Sequence, residues 1–474
     1  MRIPGFRGVY RDDLDARGVY AEAAGIARVL PRAVAVPVDA DDVVVLVKWA
    51  HDTGTPLVPR GAGSSMAGGA VGDGVVVDLS RLDAIGPVDV ATRRVRVGAG
   101  AIRDAVDAAA RAHGLWFPVD PSSGAWATIG GMVATNAAGA HAMSHGAMRA
   151  WVTALDCVFE DGTRTWVARG AELPEQSRGI PALRRFGTQA STMVITTAMA
   201  APVARLTHDG VRKESSGYGL SAFARSGDIV DLLVGSEGTL AVVVGAELLL
   251  APAPAGRVAL AAAYPTLEAA VDAAGRAAAL GAATCELLDR TFLDLVRDSP
   301  AAPSVPADAD ALLLADAEGD SQADADRIGA LVADGFRDAG AISVATADTP
   351  QAIHDLWAVR HAASPMLAAM APAVVSMQFI EDGAVPPIAL PEYVRGIRRI
   401  LDHHGMRVAI FGHAGDAHVH VNPLVDLTRP DWRDRVEAVL GEVVALTAAL
   451  GGTLAGEHGD GRLRTPLLAQ VWSS

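Results

Sequence analysis

The sequence predicts an α+β fold in two unlike halves, and three observations predict it. Half of the 474 residues are hydrophobic and only 20% are charged, which suits a chain with a large buried core and argues against global disorder. Up to residue 250, short strand-like runs alternate with glycine-rich loops, whereas beyond it long helical patterns interleave with few strands. The change falls at APAPAG (251–256), which is short, proline-rich and uncharged. We therefore read residues 1–30 as a lead-in, 31–250 as one unit and 251–474 as a second, α+β unit.

In the first half, Asp39 or Asp41 can cap a helix whose apolar face includes Val44, Val47 and Trp49, and Gly54 can end it. TPLVP then reads as extended, ahead of a glycine-rich loop at 60–69. VVVDLS and RVRVG read as strands, and IRDAVDAAARAHG as a helix ending at Gly114, a residue type suited to a left-handed cap. A second loop, rich in Gly, Ser, Thr and Asn, runs from Pro121 to Gly146. LDCVFEDGTRTWVA has the pattern of a hairpin turning at Asp161–Gly162, and DLLVGSEGTLAVVVGAELLL adds strands around a glycine turn. In the second half, strands near 257–264 and 312–317 each precede a helix, the segment 299–311 between them reads as a surface loop, and VVSMQFIEDGAVP precedes a helix at 389–404. RVAIF, AHVHVN and a long helix at 430–449 follow.

Composition excludes several roles. With 40 basic against 55 acidic residues, a net charge of −15 and no basic block, nucleic acid is not an expected partner. The two cysteines, Cys157 and Cys285, sit beside apolar residues and read as small buried hydrophobes in a reducing compartment. MRIPGFRGVYRDD has no apolar signal-peptide core, and no uncharged 18-residue apolar run suggests a membrane span. A cytoplasmic location is expected, with peripheral attachment to the inner membrane face left open.

Chemistry concentrates in two places. PRGAGSSMAGG (59–69) and DPSSGAWATIGGMVATNAAGAHAMSHGAM (120–148) are loops in which backbone N–H groups can approach a ligand and form an anion nest, with Ser64, Ser65, Ser122 and Thr128 adding hydroxyls. Together they could hold a diphosphate, although neither is a GK[ST] phosphate loop or a GxGxxG dinucleotide turn. The second place is FGHAGDAHVHVN (411–422), with His413, His418 and His420 within eight positions. If AHVHVN is a strand, His418, His420 and Asn422 share one face and Val419 and Val421 the other. On the residues alone, a metal site and a polar patch of hydrogen-bonded histidines on a solvated strand both stay open.

The ordered motifs PRGAGSS, ATIGGMVATNAAG, SHGAM, KESSGYGL and VGSEGTL resemble the FAD domain of the vanillyl-alcohol-oxidase (PCMH-type) flavoproteins. LWAVR, FIEDGAVP, FGHAGDAHVHVN and GGTLAGEHGDGR are similar to the D-lactate, glycolate and D-2-hydroxyglutarate dehydrogenase subgroup, especially to proteins that fuse this unit to an iron–sulfur domain. The resemblance runs from about residue 30 to 465. It implies a two-subdomain PCMH-type FAD-binding domain followed by an α+β substrate (cap) domain with an antiparallel sheet.

The resemblance assigns Arg60, Gly61, Gly63, Ser64, Ser65, Pro121, Ser122, Thr128, Gly130, Gly131, Asn136, Gly139 and Gly146 to the FAD pyrophosphate. It assigns Gly235, Glu237, Gly238 and Thr239 to the adenine or ribityl side. The first loop has no histidine for covalent attachment, so the FAD is expected to be non-covalent. The resemblance makes His413, His420 and Glu457 ligands of a divalent Zn, Mn or Fe ion, His458 the base, Arg360 the carboxylate-binding residue and Asn422 a further substrate contact. On residues alone, Arg360 reads first as a surface salt bridge on a helix at 350–361, since most arginines are exposed. The implied reaction is oxidation of a small 2-hydroxy acid to the 2-oxo acid by hydride transfer to flavin N5. Electrons would pass to a quinone, cytochrome or iron–sulfur protein, since no NAD fingerprint is present. An alkylglycerone-phosphate synthase-type enzyme and a flavin-binding subunit of an electron-transfer complex are the alternatives. Three departures stand out: relatives read GDGNLH where this chain has GDAHVH, Ile380 replaces a lysine, and a tail segment that returns to the flavin domain is expected to be missing after GEHGDGRLRTP.

Overall fold

Among the described residues of the computed structural model, the strands pair into four sheets. The structure describes residues 3–170, 180–200, 207–296, 306–362, 366–367 and 373–472, so residues 299–305 of the expected surface loop lie outside it. The first sheet holds β1 (Val9–Arg11), β2 (Ala33–Val36), β3 (Leu57–Arg60) and β4 (Val75–Asp78) in the order β1-β2-β4-β3. β2, β4 and β3 are parallel, with a crossover helix between β2 and β3 and the first glycine-rich loop between β3 and β4, and β1 is antiparallel.

The crossover helix Ala40–Thr53 starts and stops where its sequence says. The Asp39 carboxylate accepts from the Asp42 N–H at the N-cap, and Gly54 closes the helix at φ 63°. Its buried stripe is Val43, Leu46, Val47 and Ala50, the spacing of one helical face. Val44 and Trp49, expected on that face, flank it and are half-buried; Trp49 meets the Tyr10 ring edge-on at 6.3 Å.

The second sheet is antiparallel. It comprises β5 (Arg94–Gly98), β7 (Val152–Val158), β8 (Arg164–Ala168) and β9 (Val242–Leu249), in the order β5-β9-β7-β8, with β6 (Leu115–Trp116) set apart. The expected hairpin joins β7 to β8, with Gly162 at φ 79°. β10 (Ala251–Pro252), within APAPAG, pairs back onto β6 in a two-stranded sheet.

The remaining strands form one antiparallel sheet of eight: β11 (Gly256–Tyr264), β12 (Thr284–Asp289), β13 (Ala311–Gly319), β14 (Ser343–Ala347), β15 (Val374–Ser376), β16 (Gly383–Ala384), β17 (Arg407–Gly412) and β18 (His418–Asp426). Their order is β14-β11-β13-β12-β17-β18-β15, with β16 also beside β18. Helices Leu267–Ala277, Gln322–Asp338, Leu390–His403 and Trp432–Ala449 cover one face, burying Leu260, Leu287, Leu313, Val419 and Val421. Leu288, Leu314, Phe411 and Leu424 lie on the other face, against Arg290–Val296 and Pro350–His361. The two-residue period of β18 therefore puts His418, His420 and Asn422 on the face away from the four-helix layer.

After the last long helix, residues 455–472 run back across the first half. Ser215 N–H donates to Ala455 O at 2.9 Å, Arg462 Nε to Val71 O at 2.6 Å, and Trp472 Nε1 to Ser216 Oγ at 3.0 Å. This segment therefore ties the end of the second unit to the first half.

Packing of the helical layer sets a stability expectation. Phe336 is fully buried, edge-on to Tyr264 at 6.5 Å. Phe336→Ala is expected to destabilise the second unit by roughly 3–5 kcal/mol, read as a lower urea midpoint. A loss below about 1 kcal/mol would contradict a rigid site there.

Candidate active site

The two glycine loops meet. Helix Ile129–Thr135, inside the second loop, is capped by Thr128, whose Oγ1 accepts from Gly131 N–H at 3.3 Å, and closes at Asn136. A side chain at Gly61 would collide with Thr128 Oγ1, and one at Gly139 with the Asp120 backbone, so only glycine lets these chains approach. Gly130 packs in the same way on Ala99, and Gly63 beside the Arg60 guanidinium.

Arg60 is occupied within its own loop region, donating to Glu22 O at 2.8 Å and Ala70 O at 3.2 Å. Ser65 Oγ accepts from Gly69 N–H, Ser64 is half-buried beside it, and Thr239 Oγ1 donates to Ser236 O. Gly238 packs on Pro59 and Gly235 on Asn136 and Arg149. Glu237 lies beside Gly69 of the first loop, and its carboxylate accepts from the N–H groups of Asp460 and Gly461 at 2.8 and 2.9 Å. Burial raises its pKa to about 7. Ser122, next to the half-buried Pro121, lines a cavity of about 630 Å³ together with His141, Glu286, Trp357, Arg360 and His413. A second cavity, about 680 Å³, is lined by Asn136, Gly146, Lys213, Ser215, Gly235 and Gly456. Both fall in the size range of small-molecule and cofactor sites. Loops that admit backbone only, beside a cavity of this size, fit an extended flavin dinucleotide.

The histidines sit between the two cavities. β17 ends at Gly412, His413 follows, and β18 begins at His418. Ala417 holds the turn at φ 58°, ψ 34°, a left-handed conformation that costs a non-glycine residue roughly 1–2 kcal/mol. All three histidines are buried, which overturns the solvated-strand reading. His413 Nε2 is 2.9 Å and His420 Nε2 3.4 Å from Glu457 Oε1. Glu457 Oε2 accepts from Lys213 Nζ at 3.0 Å, and Lys213 also donates to Gly139 O. Thus Glu457 joins the cavity lined by His413 to the one lined by Lys213. His413 Nδ1 is hydrogen-bonded to Glu286, and His420 Nδ1 to Glu381 O at 3.1 Å. Imidazoles anchored on one nitrogen, with the other turned to a shared carboxylate, make a donor set suited to a divalent ion.

Arg360 is buried, not a surface salt bridge. Its Nε donates to Glu286 Oε2 at 2.8 Å and its guanidinium lies over Phe411 at 5.1 Å, so among the described residues the two Nη groups remain for a ligand in the cavity it lines. His458 stacks on His420 at 5.3 Å, with Nδ1 3.1 Å from Glu381 Oε1 and 3.4 Å from Asp382 Oδ1, while Nε2 is 3.9 Å from Glu457. Asn422, two residues beyond His420, stands apart from this hydrogen-bond cluster and accepts from Ser376 Oγ at 3.4 Å.

The charges follow from these partners. Burial alone would lower His413 and raise Glu286 and Glu457, yet mutual attraction wins. His413 rises to about 9, Glu286 is held low by His413 and Arg360, and Glu457 is held well below the carboxylate range by His413 and Lys213. Burial keeps His420 low and takes His418 to about 3, so both are neutral. His458 is lowered by burial but raised more by Asp382 and Glu381, reaching about 9.

Several participants escaped the sequence reading. Lys213, Glu381, Asp382 and Arg464 lie inside or beside the quoted motifs KESSGYGL, FIEDGAVP and GEHGDGR, but no role was attached to them. Arg464 pairs with Glu381 and sits 3.4 Å from Asp382, which in turn accepts from the Glu457 and His458 N–H groups. Glu286, in ATCELLD, carried no local signal.

Residues 31–168 match the family model "FAD binding domain", and residues 253–474 match "FAD linked oxidases, C-terminal domain". The chain is 31% identical to the D-2-hydroxyglutarate dehydrogenase of Pseudomonas putida over 97% of its own length, but spans only 48% of that relative. It is 29% identical to the glycolate oxidase subunit GlcD of Bacillus subtilis, covering 93% of this chain and 83% of the relative. It is also 29% identical to the D-lactate dehydrogenase of Archaeoglobus fulgidus, covering 92% and 84%. Among solved structures, a 4-ethylphenol oxidase from Gulosibacter chungangensis aligns with a TM-score of 0.67 at 15% identity, over 95% of this chain and 86% of that one. An alkyldihydroxyacetonephosphate synthase aligns at 0.66 and 14%, over 94% and 77%. At these identities the two show a shared fold. Among the described residues, no helix is long and apolar enough to cross a membrane.

The protonation of His413 sets a test for a divalent ion at this cluster. An ion held through His413 would have to displace the proton that His413 keeps up to about pH 9. Apparent affinity is therefore expected to rise about tenfold per pH unit from neutral pH toward 9, with roughly one proton released per ion. Calorimetry in two buffers of different ionisation enthalpy measures that proton; an affinity flat over this range would remove His413 from the ligand set.

Proposed function

We propose a function from the premise that this chain belongs to the FAD-linked oxidoreductases built from an FAD binding domain and an FAD-linked oxidase C-terminal domain: it oxidises a small D-2-hydroxy acid to the 2-oxo acid. The observation that carries this reading is the convergence of His413, His420, Glu457 and His458, with Arg360 one carboxylate away. The three relatives named above bear the names of dehydrogenases or oxidases of 2-hydroxy acids, which supports the class without choosing among lactate, glycolate and 2-hydroxyglutarate.

In this reading the two glycine loops would hold non-covalent FAD, and His413, His420 and Glu457 a divalent ion. Bound FAD would supply the acceptor for the two electrons leaving C2, and the ion positive charge at the substrate hydroxyl. Arg360 grips the substrate carboxylate through its Nη groups, a bidentate pairing that fixes orientation as well as charge. Glu286 holds that guanidinium through Nε and leaves the fork free. His458 takes the hydroxyl proton on Nε2, because Nδ1 keeps its hydrogen against Glu381. A quinone, a cytochrome or an iron–sulfur protein would receive the electrons afterwards. A synthase-type reading has only fold similarity behind it, and turnover without any electron acceptor separates it from a dehydrogenase.

Anaerobic mixing of the holoprotein with D-lactate, glycolate or D-2-hydroxyglutarate is expected to bleach the flavin absorbance. If none of the D- or L-2-hydroxy acids does so, the substrate class is wrong. His458→Gln should slow bleaching by roughly 10²–10⁴-fold with little change in substrate affinity. Because His458 works only when neutral and its pKa is raised, the bleaching rate should climb with pH, with an apparent pKa between the ordinary value of about 6.5 and the value of about 9 reached beside Asp382 and Glu381. A rate that falls over this range would exclude His458 as the base. Arg360→Lys should weaken carboxylate binding on the order of 100-fold, since an ammonium cannot reproduce the fork.

A further inference from the structure

We propose that His418 is a fourth protein ligand of the divalent-ion site, contributing its Nδ1. This deepens the reading of His413, His420 and Glu457 given above and rests on it. The imidazole is fully enclosed at the head of β18, with its ring centre 5.3 Å from that of His413 and 4.8 Å from that of His420. One ligand-capable atom from each of His413, His418, His420 and Glu457 lies within 4.8 Å of the others.

The hydrogen bonds select the atom. His418 Nε2 is 2.9 Å from Asp382 Oδ1, and an ionised carboxylate only accepts, so Nε2 carries the hydrogen. Nδ1 then bears the lone pair, and it is buried without a hydrogen-bond partner among the described residues. Buried polar atoms are almost always paired, so a bare lone pair in this position points to a missing electrophile. The other rings of the cluster are all engaged on Nδ1: His413 by Glu286, His420 by Glu381 O and His458 by Glu381 Oε1. His418 is the inverted member, anchored on Nε2 instead. One nitrogen donating to a carboxylate and the other bare is the arrangement of a metal-ligating histidine with its outer partner in place.

The anchor is itself fixed. Asp382 also accepts from the backbone N–H groups of Glu457 and His458, so one carboxylate orients His418 and the segment carrying Glu457. Gly456 leaves the Nε2 edge of the ring room to sit against the backbone just before Glu457. Three imidazoles and one carboxylate favour ions that accept nitrogen ligands, such as Zn²⁺, Fe²⁺ or Co²⁺, over Mg²⁺ and Ca²⁺.

Co²⁺ titration of the full, chelator-stripped chain tests this without turnover, by the visible absorption of the bound ion and by competition with a chromophoric chelator. His418→Gln leaves an amide near the Nε2 position for Asp382 and removes Nδ1. We expect at least about a 100-fold loss of Co²⁺ affinity and an altered absorption band, with flavin content and metal-free thermal midpoint as in the wild type. Affinity within about threefold of wild type, with the same band, overturns the proposal. If the variant does not fold, X-ray absorption on the Zn²⁺-loaded wild type decides: three imidazoles support it and two overturn it. Uptake abolished by His413→Gln but untouched by His418→Gln sinks this proposal alone. A wild-type chain that takes up no Co²⁺ sinks the metal reading of the site and this proposal with it.

Discussion

A single buried carboxylate, Glu457, imposes the arrangement around it. An unpaired charge there would cost several kcal/mol, so the fold has to bring cations to both of its oxygens. Both halves of the chain answer. Lys213 reaches Oε2 from the first half, and His413 and His420 reach Oε1 from the strand ends of the large sheet. Lys213 is in turn held by Gly139 O, in the second glycine loop. The loop read as the dinucleotide cradle and the carboxylate read as a metal ligand are therefore mechanically one unit. A shift in either is felt at the other through two hydrogen bonds.

The same logic explains the residues around the cluster. Glu381 and Asp382 are adjacent acids in a dry environment, tolerable because Arg464, His458 and His418 surround them. Arg464 arrives on the segment that returns across the first half, and that segment is pinned twice more: Asp460 accepts from Ser216 Oγ and Gly217 N–H, and Glu237 accepts from the N–H groups of Asp460 and Gly461. The left-handed Glu237, at φ 52°, clasps the two halves while lying against Gly69 of the first glycine loop and donating its N–H to Ala134 O of the second.

Much of this was legible in the sequence, for identifiable reasons. Caps, hairpin and strand alternation depend on neighbours in the chain, so Asp39, Gly54, Asp161–Gly162 and the face shared by His418, His420 and Asn422 could be read directly. Val44 and Trp49 do pack against the core under this helix, but at its edge, because a three-residue sketch of a helical face does not settle where the stripe is centred. The histidines His413, His418 and His420 could be read as a cluster within one motif, whereas Glu457 and His458, some 37 positions on, were joined to them only through the family resemblance. Glu286 was invisible because it reaches His413 only by strand pairing, across β12 and β17. The burial of Arg360 was invisible for the same reason: its partner is Glu286, and nothing local to LWAVR announces it.

The Glu286 connection also bears on how the site can work as a whole. Glu286 is shared between His413 and Arg360, so the charge on one group is felt at the other. In the proposed reading, a divalent ion in place of the His413 proton would add one net positive charge to the site. That gain would act in two directions at once. It would strengthen the pull on an anionic substrate at Arg360, and it would oppose the carboxylates that hold the proton on His458, a ring stacked on His420. The ion would thus favour both the bound carboxylate and the neutral base. With Glu381 and Asp382 beside it, His458 as a base would need such a counterweight, because those acids hold its proton.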